Sequence, residues 1–523
     1  MKRIVWCVAF VCALLCSAAL AAGETARKPK LLLAVVIDQF RYDYLLRFRA
    51  DYHAGIDRLL TRGAVFTDAH YPQAVTVTAV GHSTFLSGAP PSMSGIVANE
   101  WYERETGAMV TSVSDSKTFL VGGVGMRTSA SPRRLLVSTV GDELKMSGAQ
   151  SKVVSVSIKD RSAVLPGGHM ADGAYWYDPD FQAWVTSSYY RETLPEWVKQ
   201  LNAEHPAQRY LGASWRPVDG PETAAPYCTM VAGGDVRYCG SLEASPFGNE
   251  MIEQFAEHAL DAEKLGQHSG TDILAVSFSS NDYVGHAVGP DDPSIRDISI
   301  RTDRLLGRLL ERAEQQAGAG NVLVVLTADH GVAPMPEVNQ ARHMLGGRLS
   351  DIHLAERINS ALAKRFGPAE WLVAGPSILM PYLNLKLIES RKLDRAEVER
   401  AAADAARGEA HIARVYTRSQ LLEGRVEPDA IGRAVALGFF GPRSGDLLVL
   451  PEPYYLFDAS GTTHGMPYGY DTHVPVIFFG PQIKPGTYTN RIVVNDVAPT
   501  LAQILGVEAP TSSIGRVLAE ILN

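Results

Sequence analysis

Five short apolar runs constrain this chain more than any other feature. They are Leu31 to Ile37, Val153 to Ile158, Ile273 to Phe278, Val322 to Leu326 and Val474 to Phe479. Each is β-branched or leucine-rich and alternates little, the pattern of strands covered on both faces in a parallel sheet. Helical periodicity fills the gaps between them. It is carried by Ile56, Leu59 and Leu60, and by Leu135, Leu136, Val140 and Leu144. From Pro293 to Ala317 it is carried by Ile298, Ile300, Leu305, Leu306, Leu309 and Leu310 among charges, which predicts a long amphipathic helix. Strands alternating with helices predict an α/β fold, a three-layer α/β/α sandwich with a mainly parallel sheet. Two regions break the rhythm. Residues 166–248 are rich in Trp, Tyr, Pro and Gly, and residues 335–455 mix short strands with helices, including one over 391–407. Both read as insertions forming a cap over the sheet edge.

The N-terminus has its own pattern. Lys2 and Arg3 precede an apolar run from Ile4 to about Leu20, and Ala19-Leu20-Ala21 resembles a cleavage site. This predicts a signal peptide over 1–21, with 22–523 as the mature α/β domain. Cleavage would remove Cys7, Cys12 and Cys16, leaving Cys228 and Cys239 as one expected disulfide in an exported protein. No later segment has 18 consecutive apolar residues, so the mature chain is expected to be periplasmic or secreted and free of the membrane. A net charge of -8 leaves no basic excess to neutralise a nucleic-acid backbone. Nothing in the sequence sets an oligomeric state.

In open α/β sheets ligands bind beyond the carboxyl ends of strands. Here those ends carry an unusual set of side chains. The first run ends at Asp38, and the run from Ile273 leads into Asn281-Asp282-Tyr283-Val284-Gly285-His286. The run from Val322 leads into Asp329-His330-Gly331, and Thr463-His464-Gly465 precedes the last run. Three carboxylates and three imidazoles from four segments suit Zn²⁺ or a similar divalent ion. Six donors fit two ions better than one, and a metal pair about 4 Å apart can clamp both oxygens of a phosphoryl transfer. Asp282 and His286 are four apart, on one face of a helical turn. Thr78 falls where helical spacing begins, a place where free N–H groups attract phosphate, and its hydroxyl is a candidate nucleophile once a metal lowers its pKa. Thr76, in the extended stretch before it, is the local rival.

In combination these segments resemble the alkaline phosphatase superfamily, specifically the PafA-type alkaline phosphatases with a threonine nucleophile. The resemblance rests on Val36-Ile37-Asp38-Gln39, Thr76-Val77-Thr78-Ala79-Val80-Gly81-His82, and Gly95 through Tyr102 with Asn99. It extends to Ser157-Ile158-Lys159-Asp160-Arg161, Asp282 through His286, Ala328-Asp329-His330-Gly331, Thr463-His464-Gly465, Asn495 through Thr500 and Ile514-Gly515-Arg516. It implies two Zn²⁺ ions, one on Asp282, His286 and His464, the other on Asp38, Asp329, His330 and Thr78. His473 competes with His464 by position and is otherwise a supporting residue at a strand start. The resemblance also implies hydrolysis of small phosphate monoesters through a phosphothreonine. Asn99, Lys159 and Arg161 would be the donors for the extra charge of a monoester, and strand alternation past Val153 is expected to point both cations to one side. A phosphodiesterase or nucleotide pyrophosphatase of the same superfamily is the alternative. The Cys/Ser-x-Pro-x-Arg sequence of sulfatases is absent near Thr78, and the intact ligand set opposes a secreted binding protein with a degenerate site.

Overall fold

Leu31–Ile37 (β1) is buried along its whole length at the middle of an 11-stranded sheet. The structure, a computed structural model, describes residues 28–523 apart from 124, 126, 222, 231–240, 374 and 376. The other strands of the sheet are Ala64–Phe66 (β2), Ser114–Val121 (β3), Thr128–Ala130 (β4), Val153–Ser157 (β5) and Gly173–Asp178 (β6). They continue with Ala183–Ser187 (β7), Asp272–Phe278 (β8), Val322–Thr327 (β9), Val476–Phe479 (β10) and Gly486–Tyr488 (β11). Their order across the sheet is β11-β2-β10-β9-β1-β8-β5-β6-β7-β3-β4. The middle five, β9, β1, β8, β5 and β6, are mutually parallel.

Helices Gly55–Arg62 (α1), Thr78–Ser87 (α2), Asp160–Gly167 (α3), Ser280–Val288 (α4) and Pro293–Ala317 (α5) pack around this sheet. Alternate side chains of β6 show that there is a core on each face. Tyr175 and Tyr177 join the cluster fed by Ile56 of α1 and Leu305 of α5. Ala174 and Trp176 join the one fed by Val80 of α2 and Val164 of α3. The result is the expected α/β sandwich.

Four expectations are corrected. The run at Val474 forms β10, which pairs antiparallel with both β9 and β2. A strand buried on both faces reads the same in either direction, so its sequence does not encode its orientation. Part of 166–248 is not a cap, since β6 and β7 extend the main sheet. The helix around Leu144 starts only at Val140, where Thr139 caps it, and Leu135 and Leu136 precede it. The helix expected over 391–407 spans only Arg395–Arg407, capped by Asp394, because Lys392 before it turns left-handed at φ 52°. The segment 335–455 has its own core, around Leu354, Ile358, Trp371 and Val398. The N-terminal apolar run and Cys239 lie outside the described residues. Among the described residues, no helix is long and apolar enough to cross a membrane.

Helix α1 begins without a side-chain cap of its own. Buried Asp303 on α5 supplies one, its carboxylate accepting from the backbone N–H groups of His53, Ala54, Ile56 and Asp57. Asp303→Ala is therefore expected to destabilise the protein by about 3 kcal/mol, because buried donors lose a charged acceptor. Urea unfolding of the variant beside the parent measures this.

Candidate active site

The parallel strands β1, β8, β9 and β5 all end at one edge of the sheet. Asp38 follows β1 there, and α4 begins after β8 with Asp282 and His286 one turn apart, 3.2 Å between Oδ1 and Nε2. Asp329 and His330 follow β9. Thr327, the last residue of β9, pairs with Val476, the first of β10. Because β10 runs antiparallel, it starts at the edge where the others end. The loop leading into it therefore delivers His464 to the same place.

The donors form two adjoining groups. In the first, those of Asp282, His286 and His464 lie within 4.8 Å of one another. In the second, His330 Nε2 is 3.6 Å from Asp38 Oδ1, 3.4 Å from Asp329 Oδ2 and 3.5 Å from Thr78 Oγ1. All three imidazoles are oriented from behind. Nδ1 of His286 lies 2.8 Å from the Thr462 carbonyl, that of His330 3.0 Å from Gly331 and that of His464 2.8 Å from Thr76. A donating Nδ1–H leaves each Nε2 lone pair facing the cluster, the arrangement of metal-binding histidines.

Two further observations bear on whether cations fit. Asp38 Oδ1 and Asp329 Oδ2 are buried without a hydrogen-bond partner, which is costly for a carboxylate unless a cation meets it. The His330 and His464 rings are stacked, with centroids 3.5 Å apart and planes at 16°. An imidazole binds a metal in its own ring plane, so two stacked rings serve two ions rather than one. The donor set thus fits a pair of divalent cations.

The electrostatics reflect the crowding. Burial and the neighbouring charge of Asp329 push Asp38 well above the usual carboxylate range. Burial pushes Asp282 up too, but Lys159 and His286 outweigh it and hold it well below that range. Burial pushes His330 down to about 3.

Lys159 is the cation that meets both groups, its Nζ 2.7 Å from Asp38 Oδ2 and 2.6 Å from Asp282 Oδ2. Strand alternation does not place it. β5 stops at Ser157, Lys159 is the extended residue before α3, and Arg161 lies in the first turn of α3. Arg161 is close enough for its charge to act on Lys159. Thr78 is the first residue of α2 and does not cap it. Asn99 Oδ1 accepts from Ala79 N at 2.8 Å, so one of the helix's free N–H groups is already satisfied and the Asn99 amide nitrogen is the donor left. Thr76 is committed elsewhere, its hydroxyl donating to the Met466 carbonyl. His473 lies outside both groups, stacked between Tyr42 and His70 with centroids 4.4 and 4.5 Å away.

Sequence reasoning assigned no role to Gln39 or His82. Gln39 ties the two groups together, its backbone N–H donating to Asp329 Oδ1 and its Nε2 to Asp282 Oδ1. His82 stands 3.3 Å from Asp329 Oδ2 and 2.9 Å from the Thr78 carbonyl. Both sit inside the quoted motifs, and Gln39 has a left-handed backbone, φ 58°, which no composition signal reveals. Two motif glycines lie close against the site, Gly81 against backbone and Gly285 against the end of the Gln39 side chain. A Cβ on Gly81 would lie 2.2 Å from the Asp329 carbonyl oxygen, and one on Gly285 1.8 Å from Gln39 Oε1.

Residues 32–472 match the family model for type I phosphodiesterase / nucleotide pyrophosphatase. The chain belongs to that family, within the alkaline phosphatase superfamily that its motifs resemble. It is 35% identical to "Alkaline phosphatase PhoV" of Synechococcus elongatus, over 95% of this chain and 94% of that one. It is 32% identical to "Alkaline phosphatase PafA" of Elizabethkingia meningoseptica, over 95% of each. It is 34% identical to a "Calcium-transporting ATPase" of Myroides odoratus, over 97% of each. Among solved structures, wild-type alkaline phosphatase PafA superposes with a TM-score of 0.87 at 30% identity, over 96% of this chain and all of that one. Murine ectonucleotide pyrophosphatase / phosphodiesterase 5 shares the fold, with a TM-score of 0.55 at 14% identity.

Gly285→Ala tests the scaffold. The new methyl displaces Gln39 and with it the hydrogen bond to Asp282. The variant is expected to bind a divalent cation about 10–100-fold more weakly, the usual cost of losing a group that orients a ligand. Competition against a chelator measures this without recourse to turnover.

Proposed function

We propose that the protein is an exported alkaline phosphatase that hydrolyses small phosphate monoesters through a phosphothreonine at Thr78. One observation carries the reading: a buried hydroxyl at the start of α2, 3.5 Å from His330 Nε2, beside two adjoining groups of carboxylates and imidazoles. Asp282, His286 and His464 would hold one Zn²⁺, and Asp38, Asp329, His330 and Thr78 the other. Bound zinc supplies concentrated positive charge, which lowers the pKa of a hydroxyl beside it and offsets the charge of a departing oxygen.

The chain's own residues do the rest. Thr78 Oγ attacks phosphorus in line, a new P–O bond forms, and the bond to the alcohol oxygen breaks on the opposite side. Water then attacks the same phosphorus, returning Thr78 and releasing phosphate. His82, bonded to the Thr78 carbonyl, fixes the turn that carries the nucleophile. The Asn99 amide, Lys159 and Arg161 are the donors for phosphoryl oxygens. A monoester carries one more negative charge than a diester, and Lys159, in contact with carboxylates of both groups, would meet it.

Relatives named as alkaline phosphatases support the monoesterase reading, and a solved variant of PafA carries substitutions of a Thr, an Asn, a Lys and an Arg, the residue types of Thr78, Asn99, Lys159 and Arg161. The Myroides name denotes an ATPase, whose chemistry is also phosphoryl transfer to water. The family model's name favours a diesterase as second reading. Export rests on the N-terminal apolar segment and on the expected Cys228–Cys239 disulfide, whose members include residues outside those described.

Two experiments test the reading. Thr78→Ala is expected to lose about 10²-fold or more in kcat/KM, the scale of an activated nucleophile, while keeping its metal. Phosphoryl trapping with mass spectrometry should find the modification on Thr78, and its appearance on another residue overturns the assignment. Lys159→Ala and Arg161→Ala are expected to depress kcat/KM far more for a monoester than for a matched diester. Equal losses, or a parent enzyme that prefers the diester, would select the phosphodiesterase reading.

A further inference from the structure

A cavity of about 400 Å³ opens from the candidate active site, within the roughly 300–1,000 Å³ of small-molecule pockets. His286, His464 and Asn99 form its inner wall, and none of Asp38, Thr78, Asp329 or His330 lines it. It therefore joins the site at the Asp282 group, not at the Thr78 hydroxyl. In-line displacement expels the leaving oxygen opposite the nucleophile. On the reading above, on which this inference rests, the cavity receives the leaving group.

Its walls mix polar and apolar surface. Val75 and Val77 precede α2, and Met380, Leu448, Leu450 and Phe457 come from the segment 335–455 and its end. Its charged side chains, apart from the histidines, all have one sign. Glu100, Asp351 and Asp458 stand exposed at its rim, while burial pushes the Asp471 carboxyl in its wall well above the usual carboxylate range. Among the described residues no Lys or Arg lines it. The apolar surface rewards burial of a ring or alkyl group, and a rim of carboxylates opposes a second negative charge.

We propose that this cavity makes the protein selective for monoesters with an apolar, uncharged leaving group, aromatic ones foremost, and biased against those whose leaving group is anionic. Two esters isolate the charge: 4-carbamoylphenyl phosphate and 4-carboxyphenyl phosphate have one shape and differ by a carboxylate. At low ionic strength the uncharged ester is expected to show at least about tenfold higher kcat/KM, roughly 1.4 kcal/mol. Added salt should shrink the gap, and the combined Glu100→Gln, Asp351→Asn and Asp458→Asn variant should narrow it. The apolar surface is read separately by competitive inhibition, where phenylphosphonate is expected to bind about tenfold more tightly than methylphosphonate. If both esters turn over at equal rates at every salt concentration and the phosphonates bind equally, the inference is overturned while the phosphatase reading stands. If neither ester is hydrolysed and Thr78 is never phosphorylated, the phosphatase reading fails and the inference goes with it.

Discussion

Three carboxylates that cannot all be ionised without a cation govern this structure. Asp38, Asp282 and Asp329 are each 5% exposed or less and crowd one edge of the sheet. An unpaired buried carboxylate costs several kcal/mol, so the fold tolerates three only where positive charge is supplied. Lys159 supplies part of it, spanning Asp38 and Asp282. Two carboxylate oxygens still lack partners, and the imidazole lone pairs turned towards them are acceptors too. What the chain has assembled there is an acceptor-rich space that needs more cation than the chain contains.

The surroundings keep that space open against its own repulsion. Gln39 donates to carboxylates of both groups, with a strained left-handed backbone that lets N–H and side chain reach opposite ways. Helix α2 approaches Asp329 closely only because Gly81 presents no side chain, and Gly285 of α4 leaves room for the Gln39 amide. Backbone carbonyls of Thr76, Gly331 and Thr462 hold the imidazoles in one tautomer. The site is thus held by main chain and by rigid elements, as precise positioning of reactive groups requires.

The sequence showed the ligand segments because both strands and ligands leave strong local signals. The central strands are continuous apolar runs, and Asp-x-x-x-His and Asp-His follow them directly. What stayed hidden depends on relations between segments. Nothing in Val474 to Phe479 encodes its direction, since both faces are buried. Gly173–Asp178 lies in a stretch whose Trp, Tyr, Pro and Gly content suggests a cap, whereas its aromatics alternate between two cores. Lys159 and Arg161 could not be oriented by alternation once β5 had ended at Ser157. His464 and His473 differ in sequence only by the His-Gly context of the first, and the structure puts them in different places, one stacked on His330 and the other on His70.

The reversed strand β10 is the step that brings a fourth donor-bearing segment to the binding edge. Parallel strands joined by crossovers end on one side, so β1, β8 and β9 deliver their carboxylates there along with His286 and His330. A further parallel strand would carry the segment preceding it to the far edge, and His464 would be lost to the cluster. By pairing Val476 with Thr327, the antiparallel strand starts where its neighbours finish. Its preceding loop then lays the His464 ring on His330, one ring thickness away. The same loop forms the inner wall of the adjoining cavity through Thr463, His464 and Gly465. The segment that completes the first group of donors therefore also sets what can lie against it.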